Sequence, residues 1–300
     1  MDKYAINSEL KLLRNFIPPV NKFILPFANI FISMMKKGFD KDKVKVEYFK
    51  VGNIKCHIVT PLELVNKKTP CLFYIHGGGF IFKAMFNHYK SEQQYALRSK
   101  CRVIGIDYDL SPKYTFPHAL NQCIDVYKYI LDQSELLKLE VFNVIIGGDS
   151  AGGLLALDTY LSVKRLKVIK PNGLMLIYPV VDNSNNYKSK KLYVDTPCWN
   201  QKLNKKMWDY YLKDNKYISP IKRVDEINVD NVYIELCEFD CLHDEGEALY
   251  ELLSEKVDNI ILNDTKGTFH GYDINTKAEV TIDSFNKRVK FLKDVMYKKI

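Results

Sequence analysis

The chain has 300 residues, of which 47% are hydrophobic and 27% charged, a composition typical of a folded globular protein. These proportions exclude extended disorder, a collagen-like fibre and a disulfide-stapled miniprotein. The 44 lysines and arginines exceed the 36 aspartates and glutamates, but they are scattered along the chain as on a solvated surface, so we predict no nucleic-acid partner.

The first 40 residues are predicted to be helical, with interruptions at Pro18, Pro19 and Pro26. An export signal would need a basic start followed directly by an apolar run, which this sequence does not have there. The most apolar early stretch, residues 23–35, is too short to span a bilayer, so we expect no integral membrane association. We interpret this stretch as a helix that covers an apolar surface, with peripheral membrane contact as the alternative.

The seven cysteines are odd in number, and several lie in apolar runs such as residues 71–75. This pattern favours buried thiols in a reducing compartment, and we therefore expect a cytoplasmic location. Cys237 and Cys241 lack the second ligand pair that a zinc site would need, so no metal site is predicted.

Period-2 alternation over residues 44–51, followed by a turn and a second strand over residues 54–60, predicts a β-hairpin. Short continuous apolar runs follow, typical of strands buried on both faces, at residues 71–75, 103–106, 144–146, 174–178, 232–236 and 260–262. Helices are predicted between or after them at residues 118–137, 151–166, 244–256 and 276–298. Such alternation predicts one doubly wound α/β domain over residues 1–300.

Residues 183–225 interrupt this alternation of strands and helices. The segment is polar and rich in tyrosine, and it contains Trp199 and Trp208. An insertion of this length is typical of a lid or a disordered excursion, and the two tryptophans favour a packed lid.

Half of the 14 glycines fall in two short loops, Gly77, Gly78 and Gly79 in one and Gly147, Gly148, Gly152 and Gly153 in the other. Glycine is required where φ is positive or where another backbone or a ligand comes very close. Both loops directly follow a predicted strand, which places them at the carboxyl edge of the sheet, where ligands bind in open α/β folds.

The second glycine loop contains the pattern G-x-S-x-G, as Gly148-Asp149-Ser150-Ala151-Gly152. A sharp turn from strand to helix would lift the Ser150 hydroxyl clear of the backbone, and the helix N-terminus would direct N–H groups and partial positive charge towards it. This setting suits an attacking oxygen whose product is an oxyanion. The alternatives are a plain tight turn or a phosphate-binding loop, but the latter needs a lysine directly after the glycines and the nearest is Lys164.

The first glycine loop reads His76-Gly77-Gly78-Gly79-Phe80. Consecutive glycines allow backbone N–H groups to point into a cavity. Two such donors and the N–H of Ala151 would form an oxyanion hole, with His76 shaping the loop. The alternative interpretation is a flexible loop.

A serine hydroxyl is a poor nucleophile unless a base takes its proton. We predict that His270 is this base, because it follows the last strand on a loop at the same carboxyl edge. The other histidines are expected to be structural (His57), to belong to the glycine loop (His76), to begin helices as surface or capping residues (His88 and His118), or to lie one turn from Asp240 (His243).

The base needs an acid that holds its tautomer and stabilises the imidazolium. We assign Asp240, which follows the strand at residues 232–236. Asp244 is a competitor, but we expect it to cap the next helix, and Asp182 is a weaker rival. The order serine, acid, histidine is that of the α/β-hydrolase pattern.

Five pieces of the chain together resemble the hormone-sensitive-lipase-like branch of the α/β-hydrolase fold, which includes bacterial carboxylesterases and acetyl esterases. They are residues 76–80, residues 107–112 with 116–119, residues 148–153, residues 240–244 and residues 270–272. The resemblance implies a mostly parallel sheet of about eight strands, with helices on both faces and a helical cap formed by residues 1–40 and 183–225. It also assigns the oxyanion-hole amides to Gly78, Gly79 and Ala151.

The residues and the resemblance predict a serine carboxylesterase for small acyl esters, in which Ser150 attacks, His270 takes the proton and Asp240 orients His270. No metal or organic cofactor is required. An arylformamidase or other amidase, an interfacial lipase and a ligand receptor without catalysis are the alternatives. The acyl length is expected to depend on cap side chains, with candidates Phe16, Phe27, Phe31, Trp199 and Trp208.

Overall fold

The computed structural model describes residues 3–35, 38–166 and 168–297. Its eight strands are β1 Val44–Val51, β2 Ile54–Pro61, β3 Thr69–Ile75, β4 Arg102–Asp107, β5 Leu139–Asp149, β6 Gly173–Ile177, β7 Asn231–Phe239 and β8 Asn259–Phe269. Its α-helices are α1 Leu25–Met34, α2 Phe86–Ser99, α3 His118–Asp132, α4 Ala151–Arg165, α5 Lys188–Leu192, α6 Gln201–Leu212, α7 His243–Ser254 and α8 Glu279–Tyr297. Short 3-10 turns lie at Ser8–Leu13, Leu62–Leu64, Pro220–Glu226 and Tyr272–Ile274.

The strands form one sheet in the order β1-β2-β4-β3-β5-β6-β7-β8. Only the pairs β1–β2 and β2–β4 are antiparallel, and every later pair is parallel. The predicted hairpin and the mostly parallel α/β sheet are therefore confirmed. Because β3, β5, β7 and β8 run the same way, the loops that follow them meet at one edge.

Both faces of the sheet are buried, and the side chains of β3 show how. Phe73 and Ile75 belong to the core shared with α3, α4 and α7, while Leu72 and Tyr74 belong to the opposite core, shared with α2 and α8. A strand buried on both faces has no polar side, which is why its sequence is a continuous apolar run. Truncating Phe73 to alanine would remove about 3–5 kcal/mol of stability.

A helix beginning at His88 was expected, but its extent was not predicted; it is α2, which begins at Phe86 and ends at Ser99. Its buried side includes His88, Glu92 and Gln93 beside Tyr89 and Ala96. Four of its seven buried positions are polar, and the apolar periodicity that identifies a helix is weakened. The predicted helix at residues 118–137 is also too long, because α3 ends at Asp132 and a turn leads into β5.

The N-terminal segment is less helical than predicted. It contains only the 3-10 turn Ser8–Leu13 and the helix α1, with irregular chain around Pro18 and Pro19. A proline lacks the N–H that an α-helix needs in its interior, so the two elements stay separate. The polar insertion at residues 183–225 is folded, with α5, α6 and the start of a 3-10 turn, and buries Trp208 and Tyr211.

Within the described ranges, the model contains no helix with the length and apolar character needed to cross a membrane. The helix α1 has ten residues, which corresponds to about 15 Å at 1.5 Å per residue.

Candidate active site

Ser150 lies in the sharp turn between β5 and α4, with φ +55° and ψ −120°. This left-handed conformation is rare outside glycine, and strain of this kind persists only where the surroundings hold it. Here the Ser150 N–H donates to the Ile177 carbonyl at 2.8 Å. Gly152 has to lack a side chain, because a Cβ atom there would collide with the carbonyl oxygen of Ile75. The turn therefore needs small residues on both sides of the serine.

The side chains of Ser150, Asp240 and His270, which we call the triad, meet at the carboxyl edge of the sheet. The Ser150 Oγ lies 2.8 Å from His270 Nε2, and His270 Nδ1 lies 2.6 Å from Asp240 Oδ2. An ionised carboxylate only accepts hydrogen bonds, so the proton lies on Nδ1 and Nε2 accepts from the serine hydroxyl. All three residues are buried, which keeps water from competing for these bonds. The geometry is that of a nucleophile, a base and an orienting acid.

The loop after β3 brings backbone amides towards the same point. Gly78 has φ +106°, and its carbonyl oxygen accepts from the amides of Ile81 and Phe82, which closes a tight turn. Among the residues described, the amides of Gly78, Gly79 and Ala151 have no hydrogen-bond acceptor. Gly78 and Gly79 line the same cavity as Ser150. Such uncommitted donors are what an oxyanion hole requires.

Asp149 joins the serine turn to this glycine loop. Its Oδ1 accepts from the Gly77 amide at 3.0 Å and from the Tyr74 hydroxyl at 2.8 Å, and its Oδ2 lies 3.3 Å from His88 Nε2. Burial alone would raise the pKa of Asp149, but its electrostatic interaction with His88 and the hydrogen bonds from His88 and Tyr74 lower this pKa to about 2. The pKa of His88 is raised in turn, because the Asp149 carboxylate outweighs the effect of burial. Asp149 thus stays ionised and fixes the first glycine of the loop.

The His270 loop packs against a buried network of ionic and hydrogen-bonded side chains. The Tyr178 and His270 rings contact each other in a T-shaped arrangement with centroids 4.8 Å apart, and the Tyr178 hydroxyl donates to Asp273 Oδ1 at 2.7 Å. Arg288 on α8 donates to Asp273 Oδ2 at 2.9 Å and forms an ion pair with Glu235. These contacts restrict the loop on which the imidazole lies.

The triad opens into a cavity of about 300 Å³ with a mainly apolar lining. The N-terminal segment contributes Phe16, Phe31 and Ile32, and the insertion contributes Cys198 and Trp199. Of the cap side chains suggested by the sequence, Phe16, Phe31 and Trp199 thus reach the cavity. Neither Phe27, whose side chain is exposed, nor Trp208, which packs against Phe80 and Tyr211, is among the lining residues.

The rival acids are engaged elsewhere. Asp244 does not cap its own helix, contrary to the expectation, because its Oδ2 accepts from the Ser189 amide at 2.8 Å and no side-chain cap forms at α7. Asp182 accepts from Ser184 and Tyr187. Neither carboxylate bonds to His270.

The remaining histidines largely follow the prediction, with one correction. His57 is buried in β2 at 2.5 Å from Glu92, and His76 stacks on Tyr108 and donates to the Gly77 carbonyl. His118 begins α3 and is partly exposed.

The expectation for His88 as a surface residue was wrong: it is buried beside Asp149 and lines the cavity. Its Nδ1 does accept from the Met85 amide at the start of α2, as a capping residue would. The sequence could not reveal this, because the contact joins segments 61 residues apart.

Comparison with known proteins places this geometry in a family. The family model for the alpha/beta hydrolase fold matches residues 72–274, more than half of the chain. An alpha/beta hydrolase of Acanthamoeba polyphaga mimivirus is 26% identical over 209 residues, which is 67% of this chain and 60% of that protein. An esterase of Acinetobacter venetianus is 35% identical over 114 residues, 38% of this chain and 36% of that protein. The chain thus spans about 60% and 36% of the length of these curated relatives.

Among solved structures, a bacterial heroin esterase is similar over 98% of this chain and 99% of its own, with a TM-score of 0.86 and 26% identity. The predicted fold family is confirmed. With its serine turn, its glycine loop and these similarities, the chain belongs to the α/β-hydrolase-fold family, in the hormone-sensitive-lipase-like branch that contains the esterases.

Proposed function

We propose that the protein is a serine carboxylic ester hydrolase that acts on small acyl esters through an acyl-enzyme intermediate. The observation that carries this proposal is the continuous hydrogen-bonded chain from Ser150 Oγ through His270 to Asp240. Ser150 and His270 line a cavity that Gly78 and Gly79, whose amides are uncommitted, also line. A hydroxyl activated by a neighbouring base is the nucleophile that acyl transfer requires.

In the first step, Ser150 Oγ attacks the ester carbonyl carbon while His270 Nε2 takes the hydroxyl proton. The carbonyl oxygen becomes an oxyanion, which the amides of Gly78, Gly79 and Ala151 stabilise. The imidazolium is stabilised by Asp240 and returns its proton to the leaving alcohol oxygen as the C–O bond breaks. Water then attacks the acyl-enzyme with His270 again as base, which releases the carboxylic acid and restores the Ser150 hydroxyl.

The size and chemistry of the cavity support a small, apolar acyl group. A volume of about 300 Å³ is at the lower end of the range for ligand pockets. We further propose that residues 1–40 and 183–225 act together as the cap, since Phe16, Phe31 and Trp199 from these segments line the cavity. The substrate would then bind between the sheet edge and the cap.

The decisive experiment removes the nucleophile. Ser150→Ala should lower kcat on p-nitrophenyl acetate by on the order of 10⁶ and leave the circular dichroism spectrum unchanged. Covalent labelling by a fluorophosphonate should occur in the natural chain and disappear in the variant. Full activity or full labelling in Ser150→Ala would exclude the proposed role.

An acyl series from acetate to decanoate, with N-formylkynurenine as an amide substrate, then defines the substrate class. Short esters are expected to have the highest kcat/KM. The same triad can serve ester and amide hydrolysis, because a tetrahedral oxyanion forms in either reaction. A preference for the amide would therefore indicate an arylformamidase.

We also propose a cytoplasmic location. All seven cysteines are free and buried, and burial raises the pKa of the Cys56 and Cys101 thiols to about 12, so they are inert. Fractionation of the source cells followed by detection of the chain checks this proposal.

A further inference from the structure

The helix α1 exposes apolar side chains on its outer face. Phe27, Ile30, Phe31 and Met34 follow the spacing i, i+3, i+4 and i+7, so they form one stripe, and Phe23 continues it before the helix begins. We call these five residues the outer patch. Phe27 is 73% exposed and Met34 is 79% exposed. The three phenylalanines alone present on the order of 400 Å² of apolar surface, which is the size of the largest apolar patch on a typical monomeric protein, and such patches are often interaction sites.

This orientation is fixed by polar contacts on the inner side of α1. The Asn29 Nδ2 donates to the Ile81 carbonyl at 2.8 Å, and its Oδ1 accepts from the Lys83 amide at 2.9 Å. Leu25, on the same inner side, is buried. The helix therefore directs its hydrogen-bonding amide inwards and its phenylalanines outwards, the reverse of a surface helix that faces only water.

The segment that carries the outer patch is basic. The thirty residues from Leu10 to Phe39 contain no aspartate or glutamate and five lysines or arginines. Lys22 Nζ lies 5.1 Å from the centroid of the Phe23 ring, and Lys83 Nζ lies 2.8 Å from Ser33 Oγ. In the described part of the chain, neither ammonium group has a carboxylate partner. A second copy of this face would oppose it with like charge, whereas an anionic surface would neutralise both lysines.

We propose that the outer patch docks the protein onto an anionic lipid surface, with α1 lying in the plane of the interface. Apolar side chains beside lysines are what an interfacial helix uses to bind lipid acyl chains and headgroups together. Phe31 belongs to the outer patch and also lines the cavity of the triad, so the docked surface adjoins the substrate cavity. The docking itself does not depend on the proposed catalysis.

The test is co-sedimentation with phosphatidylcholine vesicles that do or do not contain phosphatidylglycerol. The full chain should sediment with the anionic vesicles, and high salt should release it. The double variant Phe27→Glu/Met34→Glu should weaken this binding at least ~10-fold, because it places two anions at the interface. Phe142→Glu is the matched control: Phe142 is also 73% exposed, but it lies in the first half of β5, away from the carboxyl edge of the sheet, and its variant should bind like the natural chain.

Neither Phe27 nor Met34 lines the cavity, so the double variant should hydrolyse a soluble ester at the natural rate. Absence of vesicle binding, or equal binding by the double variant, would overturn the docking proposal. So would a dimer in analytical ultracentrifugation that the double variant dissociates, since a second copy would then cover the patch. Vesicle binding without any ester hydrolysis would instead contradict the proposed function and leave the docking intact.

Discussion

The triad and the proposed cap face the same cavity but are held in different ways. Ser150, Asp240 and His270 each follow a strand of one rigid sheet and are buried in mutual hydrogen bonds. The helix α1 of the proposed cap contacts the segment after the glycine loop, through the bonds of Asn29 to Ile81 and Lys83, and exposes most of its apolar side chains. Chemistry needs reacting atoms fixed to within a fraction of an ångström, whereas a cap only has to exclude water and shape the substrate. We therefore expect substitutions in the triad to change the catalytic rate and substitutions in the proposed cap to change the selectivity for the substrate.

The largest effect is expected in the triad, from Asp240→Asn. Without the carboxylate, the imidazole loses the partner that holds its tautomer, and kcat should fall by ~10⁴. The measurement is kcat on p-nitrophenyl acetate. Asp244→Asn is the matched control, since Asp244 bonds to the Ser189 amide rather than to His270, and it should retain kcat. If Asp244→Asn lost the activity and Asp240→Asn retained it, the assignment of the acid would be wrong.

The next effect concerns the glycine loop. Gly78→Ala would place a Cβ atom 2.8 Å from the Phe82 carbonyl oxygen at a φ of +106°, so the loop has to shift and an oxyanion donor is misplaced. Loss of one such donor lowers kcat by ~10²–10³. Gly52→Ala also has a positive φ but meets no atom within 4 Å, so it should reduce stability by about 1 kcal/mol without changing kcat. Equal kcat values for the two variants would contradict the proposed oxyanion hole.

A smaller effect, on selectivity rather than rate, is expected in the cap. The Trp199 ring packs against Gly79 and lies 6.3 Å from the His270 ring between centroids, so it limits the room beside the triad. Trp199→Ala should raise kcat/KM for octanoate relative to acetate by roughly tenfold. Trp208→Ala, which removes a buried tryptophan outside the cavity lining, should lower the melting temperature and keep the acyl preference. An unchanged acyl profile in Trp199→Ala would exclude the ring as the limit on chain length.

The smallest effect on catalysis concerns the anchor of the insertion. Asp158 on α4 accepts from the Tyr217 hydroxyl at 2.7 Å and faces Arg223 at 3.5 Å, yet burial dominates and raises the pKa of Asp158 to about 7. Its folded pKa exceeds the unfolded value near 3.8, so its contribution to stability is full below pH 4 and is lost as the pH rises through about 7.

Asp158→Asn should therefore weaken the fall in melting temperature between pH 5 and pH 8. The loss will be partial, because burial also raises the pKa of Glu245 to about 7 and this carboxyl titrates in the same range. Thermal melts of both chains across this range are the measurement, with kcat at pH 7 expected to stay unchanged. An identical pH dependence in the variant would show that Asp158 is already ionised in the folded chain.

Much of the site could be predicted because its requirements are local. A serine at φ +55° needs small neighbours, and the pattern around Ser150 supplies them. His270 could be placed because it follows a strand directly, and parallel strands end at a common edge. Asp240 was harder to separate from Asp244, and only the hydrogen bond to His270 distinguishes them.

The α/β class, the hairpin and the serine turn could be predicted from the sequence, because strand periodicity and turn chemistry depend on near neighbours. Other features could not be predicted: His88 meets Asp149, Phe31 reaches the cavity whereas Phe27 does not, and the polar helix α2 packs on the sheet. These facts depend on contacts between distant segments. Such contacts form only when the free energy gained by burying apolar surface exceeds the loss of chain entropy. A local sequence pattern does not indicate which distant segment a residue will contact.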